Sequence, residues 1–354
     1  GRFTTARQGE FRSPRKDVVD TRCIFGEVDS MVLHTLFFQV SLTMIIRPSQ
    51  SVLKDVSLAT VVPPHFLSSK YSTGMEGALG WRILAAHTRV VEEQNIMLFA
   101  HPAVCVLAWE VYPNMTCFDE TKCLKTKHSL PLINCIFDVI FSVTKSKYLL
   151  YVNGDVLVRE DFCRAFRYVA GTLNDFLLVS QRIDLKTESY SNERDLQSFL
   201  AHTPPNVLAG LSKLHSPAGI DFFCFSVSSK PTSVFPPFLV GNVLWDNWFL
   251  GAFLKENNVS VIDITAGEYL YHLGWTNKES HFRGKQTRYN RKVWSQSSGM
   301  VKFATIEQSK YTLQIENRQG NFSLSPNRRQ EFLSRRQKGL KEVKKLENRR
   351  GFHS

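Results

Sequence analysis

The chain has 354 residues, of which 43% are apolar, 12% aromatic and 21% charged, with 26 phenylalanines. This composition excludes a disordered chain, a fibrous repeat and a disulfide-dense mini-protein, and points to a sizeable core. The formal net charge of +12 is uneven: Thr276 to Ser354 holds 19 Lys and Arg against 6 Asp and Glu, which leaves 25 against 26 elsewhere. A neutral body argues against a protein built around nucleic acid, and the basic end is either a solvated extension or a contact for an anionic partner.

In chain order, residues 1–30 are polar and of mixed charge, and read as a flexible segment. Met31 to Ile46 is mostly apolar and follows a basic stretch. Residues 31–50 therefore read either as a type II signal anchor or as a buried helix or strand. Leu58 to Val62, stopped by Pro63 and Pro64, reads as a strand entering a loop. Helical spacing runs from Gly74 to Ala86, and Asn95–Ala100 and Val104–Trp109 read as further strands.

The clearest unit begins at Leu130. Ile133, Ile136, Phe137, Ile140, Phe141 and Thr144 recur at steps of three and four, which places them on one helical face. Tyr148 to Val152 is continuously apolar, as in a central strand covered on both sides. Phe162–Val169 is the next helix and Phe176–Ser180 the next strand. Ile220–Phe225 is a strand, Leu244–Leu254 a helix and Val259–Ile264 a strand. The alternation predicts an α/β domain over 55–275: an open, mostly parallel twisted sheet with helices on both faces. Beyond Trp275 the pattern dissolves, and 276–354 reads as a basic C-terminal extension with an amphipathic helix from Phe332 to Leu346.

None of the seven cysteines forms a C-x-x-C pair. Cys117 and Cys123 are near enough to close a small loop; otherwise the set reads as reduced thiols. Asn-x-Ser/Thr sequons at Asn114, Asn258 and Asn321 permit a secretory location.

Ligands of open α/β sheets bind beyond the carboxyl ends of strands, so polar residues there carry the chemistry. Asn153-Gly154-Asp155 lies at such an end. A carboxylate fixed there, completed by substrate phosphates, suits Mg2+ or Mn2+; Asn-Gly-Asp is also ordinary turn chemistry. In Trp245-Asp246-Asn247-Trp248 the acid is either a helix cap or a base beside aromatic faces that suit a sugar. Asp221 opens an apolar strand as a turn residue or as an acceptor for a substrate hydroxyl. His272 follows the last strand as a structural histidine or a metal ligand. P-loop, dinucleotide, nucleophile-elbow and H-E-x-x-H motifs are absent from the sequence.

Taken in order, the strand ending in Asn-Gly-Asp, Ser180-Gln-Arg182, Gly-Ile-Asp221-Phe-Phe, Pro-Pro-Phe, Trp-Asp-Asn-Trp and Val-Ile-Asp-Ile-Thr265 followed by a histidine resemble the GT-A class of nucleotide-sugar glycosyltransferases. The closer likeness is to eukaryotic GT-A-like proteins with N-x-D for D-x-D. The resemblance covers roughly Leu58 to Trp275 and implies a Rossmann-like nucleotide-diphospho-sugar transferase. It implies that Asp155, Asn153 and His272 hold Mn2+ or Mg2+, and that Val62, Pro63, Asn153, Gly154, Asp155 and Arg182 border the donor. It further implies that Asp221, Trp245, Asn247 and Trp248 face the acceptor, with Asp246 as base. The implied reaction moves a sugar from a nucleotide-diphosphate donor to a hydroxyl of a glycan, protein or lipid. It implies the lumenal side of a Golgi or ER membrane, with the cytoplasm as the alternative. The competing readings are a non-catalytic nucleotide- or glycan-binding protein on the same fold, and a nucleotidyltransferase.

Overall fold

The computed structural model describes residues 52–62, 75–124, 130–186, 189, 195–273, 284–297, 299, 301–316, 321–326 and 329–349. The flexible segment, the 31–50 segment and Pro63 lie outside the described residues. Among the described residues no helix is long and apolar enough to cross a membrane.

Among the described residues thirteen strands form two sheets. They are β1 (Val56–Val61), β2 (Ile96–Ala100), β3 (Thr116–Asp119), β4 (Tyr148–Asn153), β5 (Val156–Val158), β6 (Phe176–Gln181), β7 (Ile183–Leu185), β8 (Ser212–Leu214), β9 (Ile220–Ser226), β10 (Ser260–Asp263), β11 (Leu270–His272), β12 (Tyr311–Ile315) and β13 (Phe322–Pro326). The larger sheet has the order β13-β12-β10-β6-β9-β4-β1-β2-β3. Seven of its strands are parallel; β9 runs against both β4 and β6, and β13 against β12. The smaller sheet has the order β5-β11-β7-β8.

Strand side chains alternate faces, and here both faces are covered. Leu150, Val152 and Leu178 pack with α2 (Pro102–Val111) and α4 (Phe162–Thr172). Leu149, Tyr151 and Leu177 pack with α3 (Ile133–Val143) and α7 (Trp245–Lys255). Double coverage is why these strands read as unbroken apolar runs. A third cluster lies at the small sheet, where Leu157, Ile183 and Tyr271 meet α1 (Met75–His87), α5 (Leu196–His202) and α6 (Pro205–Leu211). The open, mostly parallel α/β sheet with helices on both faces is the one expected.

Three expectations need correction. Val104–Trp109 is not a strand but the body of α2. Pro102 starts that helix, and His101 Nδ1 accepts the Ala103 N–H at 3.3 Å. A short, wholly apolar run has no period to separate helix from strand. Second, Cys117 does not pair with Cys123. The disulfides are Cys105–Cys117 and Cys123–Cys135. Cys117 points to the α2 face of the sheet and Cys123 to the α3 face, so the sheet separates them. Third, the residues beyond 275 are no mere extension. β12 adds to the main sheet beside β10, β13 follows it, and α8 (Lys285–Ser297) and α9 (Arg329–Arg349) pack on the same unit. β13 is half exposed and polar, which hid it. Two of the basic residues are structural: Arg329 pairs with Asp263, and Arg336 with Glu268 and Ser212.

His87, at the end of α1, is 1% exposed, and its Nε2 lies 3.0 Å from the Val156 carbonyl at the start of β5. Burial, against that hydrogen bond, lowers its pKa from 6.5 to about 4. Between these values the unfolded chain takes up a proton that the folded chain refuses. Stability should therefore fall as pH falls through this window, by about 3 kcal/mol at its lower end. Denaturant melts of wild type and His87→Leu at pH 7 and pH 4.5 check this: the variant should lose several-fold less stability between the two pH values. Equal losses would refute it.

Candidate active site

Four passages of the chain from one sheet to the other lie at one edge of the larger sheet; one joins β10 to β11 through 264–269, and the other three frame the polar site. The first joins β4 to β5 through Gly154 and Asp155, and the second joins β6 to β7 through Arg182. The third joins β8 to β9 through 215–219. Because β9 is reversed, its first residues share that edge with the last residues of β4 and β6. Asp221, which opens β9, is thereby brought to Asn153, which closes β4.

Gly154 fixes the first passage. Its N–H donates to the Val61 carbonyl at 3.1 Å, and a Cβ on it would stand 2.4 Å from that oxygen. The residue has no side chain because the end of β1 is already there. Val62, half-buried beside it, donates its own N–H to Phe99.

The polar side chains form a connected set. Asn153 Nδ2 donates to Asp221 Oδ1 at 2.9 Å. Arg182 Nε donates to Asp184 Oδ1 at 2.6 Å, and its Nη1 lies 3.7 Å from Asp221 Oδ2. His272 on β11 stands between two carboxylates, with Nε2 3.0 Å from Asp155 Oδ2 and Nδ1 3.1 Å from Asp184 Oδ1. The small sheet sets this up: His272 is in register with Val156 of β5 and with Asp184 of β7. A small cleft is lined by Gln181, Arg182, Asp221 and His272.

The charges follow from these contacts. Burial alone would lower the His272 pKa, but Asp155 and Asp184 outweigh it and raise it to about 9. Burial would likewise raise Asp184, yet His272 and Arg182 hold it below the usual carboxylate range. Asp221 is raised by burial in spite of Arg182. Asp246, in the first turn of α7, is raised to about 8 by burial and then by the charge of Asp221.

Asp155, Asn153, Arg182, Asp221 and His272 are thus brought together. Asn153 spends its amide on Asp221, with the Tyr151 hydroxyl 3.5 Å from its Oδ1, and acts as a strut. Two expected acceptor residues are not where a sugar could stack. Trp245 is 2% exposed and packs on Tyr151 and Phe223; Trp248 is fully buried against Phe235. Asn247 also faces inward, its Nδ2 donating to the carbonyls of Ala218 (3.0 Å) and Ala304 (2.8 Å). These aromatics belong to the core because α7 is buried on nearly every side.

Sequence reasoning missed Asp184 and His215. Asp184 had a signal: two residues after Arg182 on a β-segment, it must share that residue's face. His215 had none. Its carbonyl accepts from Gln181 Nε2, and its ring fills the space where Gly219 lacks a side chain. Asn290 on α8 was also missed. Its side chain bonds the Leu239 N–H and the carbonyls of Leu239 and Val243. It thereby clamps the loop into α7, in which Leu244 is held at φ 84°, a left-handed conformation costly for leucine.

Asp155 and His272 offer one oxygen and one nitrogen donor of the kind a divalent cation takes. They are joined by an ion pair at 3.0 Å, so a cation bound between them would displace the imidazole proton. Asp184 on the far nitrogen of the ring is the usual orienting carboxylate of a metal-bound histidine. Among the described residues no group of three or more His, Cys, Asp or Glu could hold a metal by itself. This pair would therefore need oxygens from a ligand to complete the shell.

No protein-family model matches the chain, and no curated protein matches it in sequence. Solved structures align with it. The S. aureus TarS 1–349 structure is 15% identical over 62% of this chain and 60% of that one, with a TM-score of 0.36. TarS 1–349 in complex with UDP-GlcNAc is 12% identical over 70% and 68%, TM-score 0.39. Glucosyl-3-phosphoglycerate synthase from Mycobacterium tuberculosis, in complex with Mn2+, UDP and glucosyl-3-phosphoglycerate, is 10% identical over 77% and 87%, TM-score 0.39. This chain spans about 60% of the length of the first of these. Such values carry no weight for activity. What the structure itself gives is the α/β plan: a mostly parallel sheet with one reversed strand beside β4, and an acid just past β4 at the carboxyl edge.

Proposed function

We propose that the chain is a metal-dependent glycosyltransferase that moves a sugar from a nucleotide-diphosphate donor to an acceptor hydroxyl. The observation that carries this is the Asp155–His272 pair, 3.0 Å apart and backed by Asp184, at the sheet edge that also holds Asp221. Asp155 and His272 are the residues that would hold Mn2+ or Mg2+, and the ion when bound would neutralise the departing diphosphate. Arg182 fixes Asp184 and faces Asp221, which keeps the set aligned before a ligand arrives. Asp246, with a pKa of about 8, is poised to accept a proton. The acceptor oxygen bonds to the anomeric carbon as the carbon–oxygen bond to the diphosphate breaks. The hydroxyl proton passes to the Asp246 carboxylate, and the nucleoside diphosphate leaves.

Calorimetry with UDP, GDP and CDP, each with and without Mn2+, tests the reading. One diphosphate should bind only with the ion, and Asp155→Ala should weaken that binding at least tenfold. Ion-independent binding, or none, would count against it. The non-catalytic reading is favoured by one observation: Asn153, in place of the first acid, is tied to Asp221. Ion-dependent binding with neither donor hydrolysis nor sugar transfer would select that reading.

A further inference from the structure

We infer that this chain matures in an oxidising, glycosylating compartment and carries N-linked glycans on Asn114 and Asn258. Two independent observations lead there. Four of the six described cysteines are paired, Cys105–Cys117 on one face of the β2–β3 margin and Cys123–Cys135 on the other, while Cys163 and Cys224 stay buried and free. Each pair holds its members 5.5 Å apart at the Cα atoms, the spacing of an ordinary disulfide. Such bonds persist in secretory lumens and outside cells, not in a reducing cytosol.

The second observation is the placing of the sequons. Asn114 and Asn258 are both exposed and both lie in turns. The Asn114 backbone N–H is held by Glu93 at 2.8 Å, but neither side-chain amide is bonded among the described residues. The asparagines that shape the fold, Asn153, Asn247 and Asn290, all have their amides engaged. Asn114 stands two residues before β3 and Asn258 two residues before β10. Both strands run parallel to β4, so both asparagines lie at the amino-end edge of the sheet. Asp155, Arg182 and Asp221 occupy the opposite edge. Large glycans on these two turns would therefore leave the cleft open. Asn321, at the start of the reversed β13, lies on the other edge and has its carbonyl bonded to Glu316, and the inference does not use it.

The co-reactants are of known classes. Each disulfide forms as two thiols give two electrons and two protons to a thiol–disulfide oxidoreductase. Each glycan is transferred from a lipid diphosphate carrier: the asparagine amide nitrogen bonds to the anomeric carbon, the carbon–oxygen bond to the diphosphate breaks, and the amide loses one proton.

The test uses the protein isolated from the cells that naturally make it, alkylated without reduction and digested with peptide N-glycosidase F in 18O water. The peptides holding residues 114 and 258 should convert to 18O-labelled aspartate, and cross-linked peptides should join Cys105 to Cys117 and Cys123 to Cys135. In a cell line expressing the full-length gene, Asn114→Gln and Asn258→Gln should each remove one step of glycosidase-sensitive gel shift. Unmodified asparagine at both positions, with alkylated free thiols at the four cysteines, would overturn the inference.

Discussion

Asp246→Asn is expected to lower sugar transfer by about 10²–10⁴-fold while leaving ion-dependent binding of the nucleoside diphosphate unchanged. The substitution keeps the shape of a side chain that is only 9% exposed and that receives the Asn247 N–H at 2.9 Å. It removes the charge and the capacity to take a proton, and replaces one acceptor oxygen with a donor. Because burial and then Asp221 raise this carboxyl to about 8, most of it is protonated at pH 7. The wild-type rate should therefore climb with pH up to about 8 and level off above it. In Asp246→Asn that rising limb should disappear together with the rate. A folded Asp246→Asn protein that transfers sugar at the wild-type rate would remove Asp246 from the mechanism, whatever the cation does.

The second large effect is on stability. Arg329, 4% exposed at the start of α9, places Nη1 2.5 Å from Asp263 Oδ2 at the end of β10. The other oxygen of Asp263 receives the N–H and hydroxyl of Thr265, and the Thr265 hydroxyl oxygen receives the N–H of Gln181 at 2.9 Å. One line of bonds thus runs from the C-terminal helix to the residue before Arg182. Arg329→Met leaves a buried carboxylate without its counter-charge, which costs about 3–5 kcal/mol. Urea melts should show that loss, and Arg329→Met with Asp263→Asn should recover much of it, since the neutral amide needs no counter-charge. A single variant that loses less than about 1 kcal/mol would show the pair to be worth no more than a surface contact.

The double-sided sheet was legible because its strands are apolar on both faces: Tyr148–Val152 and Ile220–Phe225 could scarcely be anything else. Asp155, Asp221 and His272 were legible for a related reason, being polar residues at the margins of such runs. What lay hidden was hidden physically. The apolar tryptophans at 245 and 248 look the same in sequence whether they face a sugar or a core, and only the enclosure of α7 decides. The cysteine pairing depends on which face of the sheet each residue meets, and spacing along the chain does not carry that. Beyond 275, β13 is a half-exposed margin strand with little apolar signal, and Arg329 and Arg336 read as solvated charge because their acids lie 66 and 68 residues away.

The four strands of the smaller sheet are three residues each, too short to hold together without their neighbours. Asp155, Arg182 and the segments 215–219 and 264–269 are the seams by which that patch is sewn to the larger sheet. The backbone stitches them, Leu273 N–H to the Asp155 carbonyl, Arg182 N–H to that of Gly219 and His215 N–H to that of Arg182. Whatever ties Asp155, Arg182 and Asp221 together closes the seams at once. Occupancy would then be felt as a stiffening of the whole joint, and the two sheets of the loaded protein would melt as one.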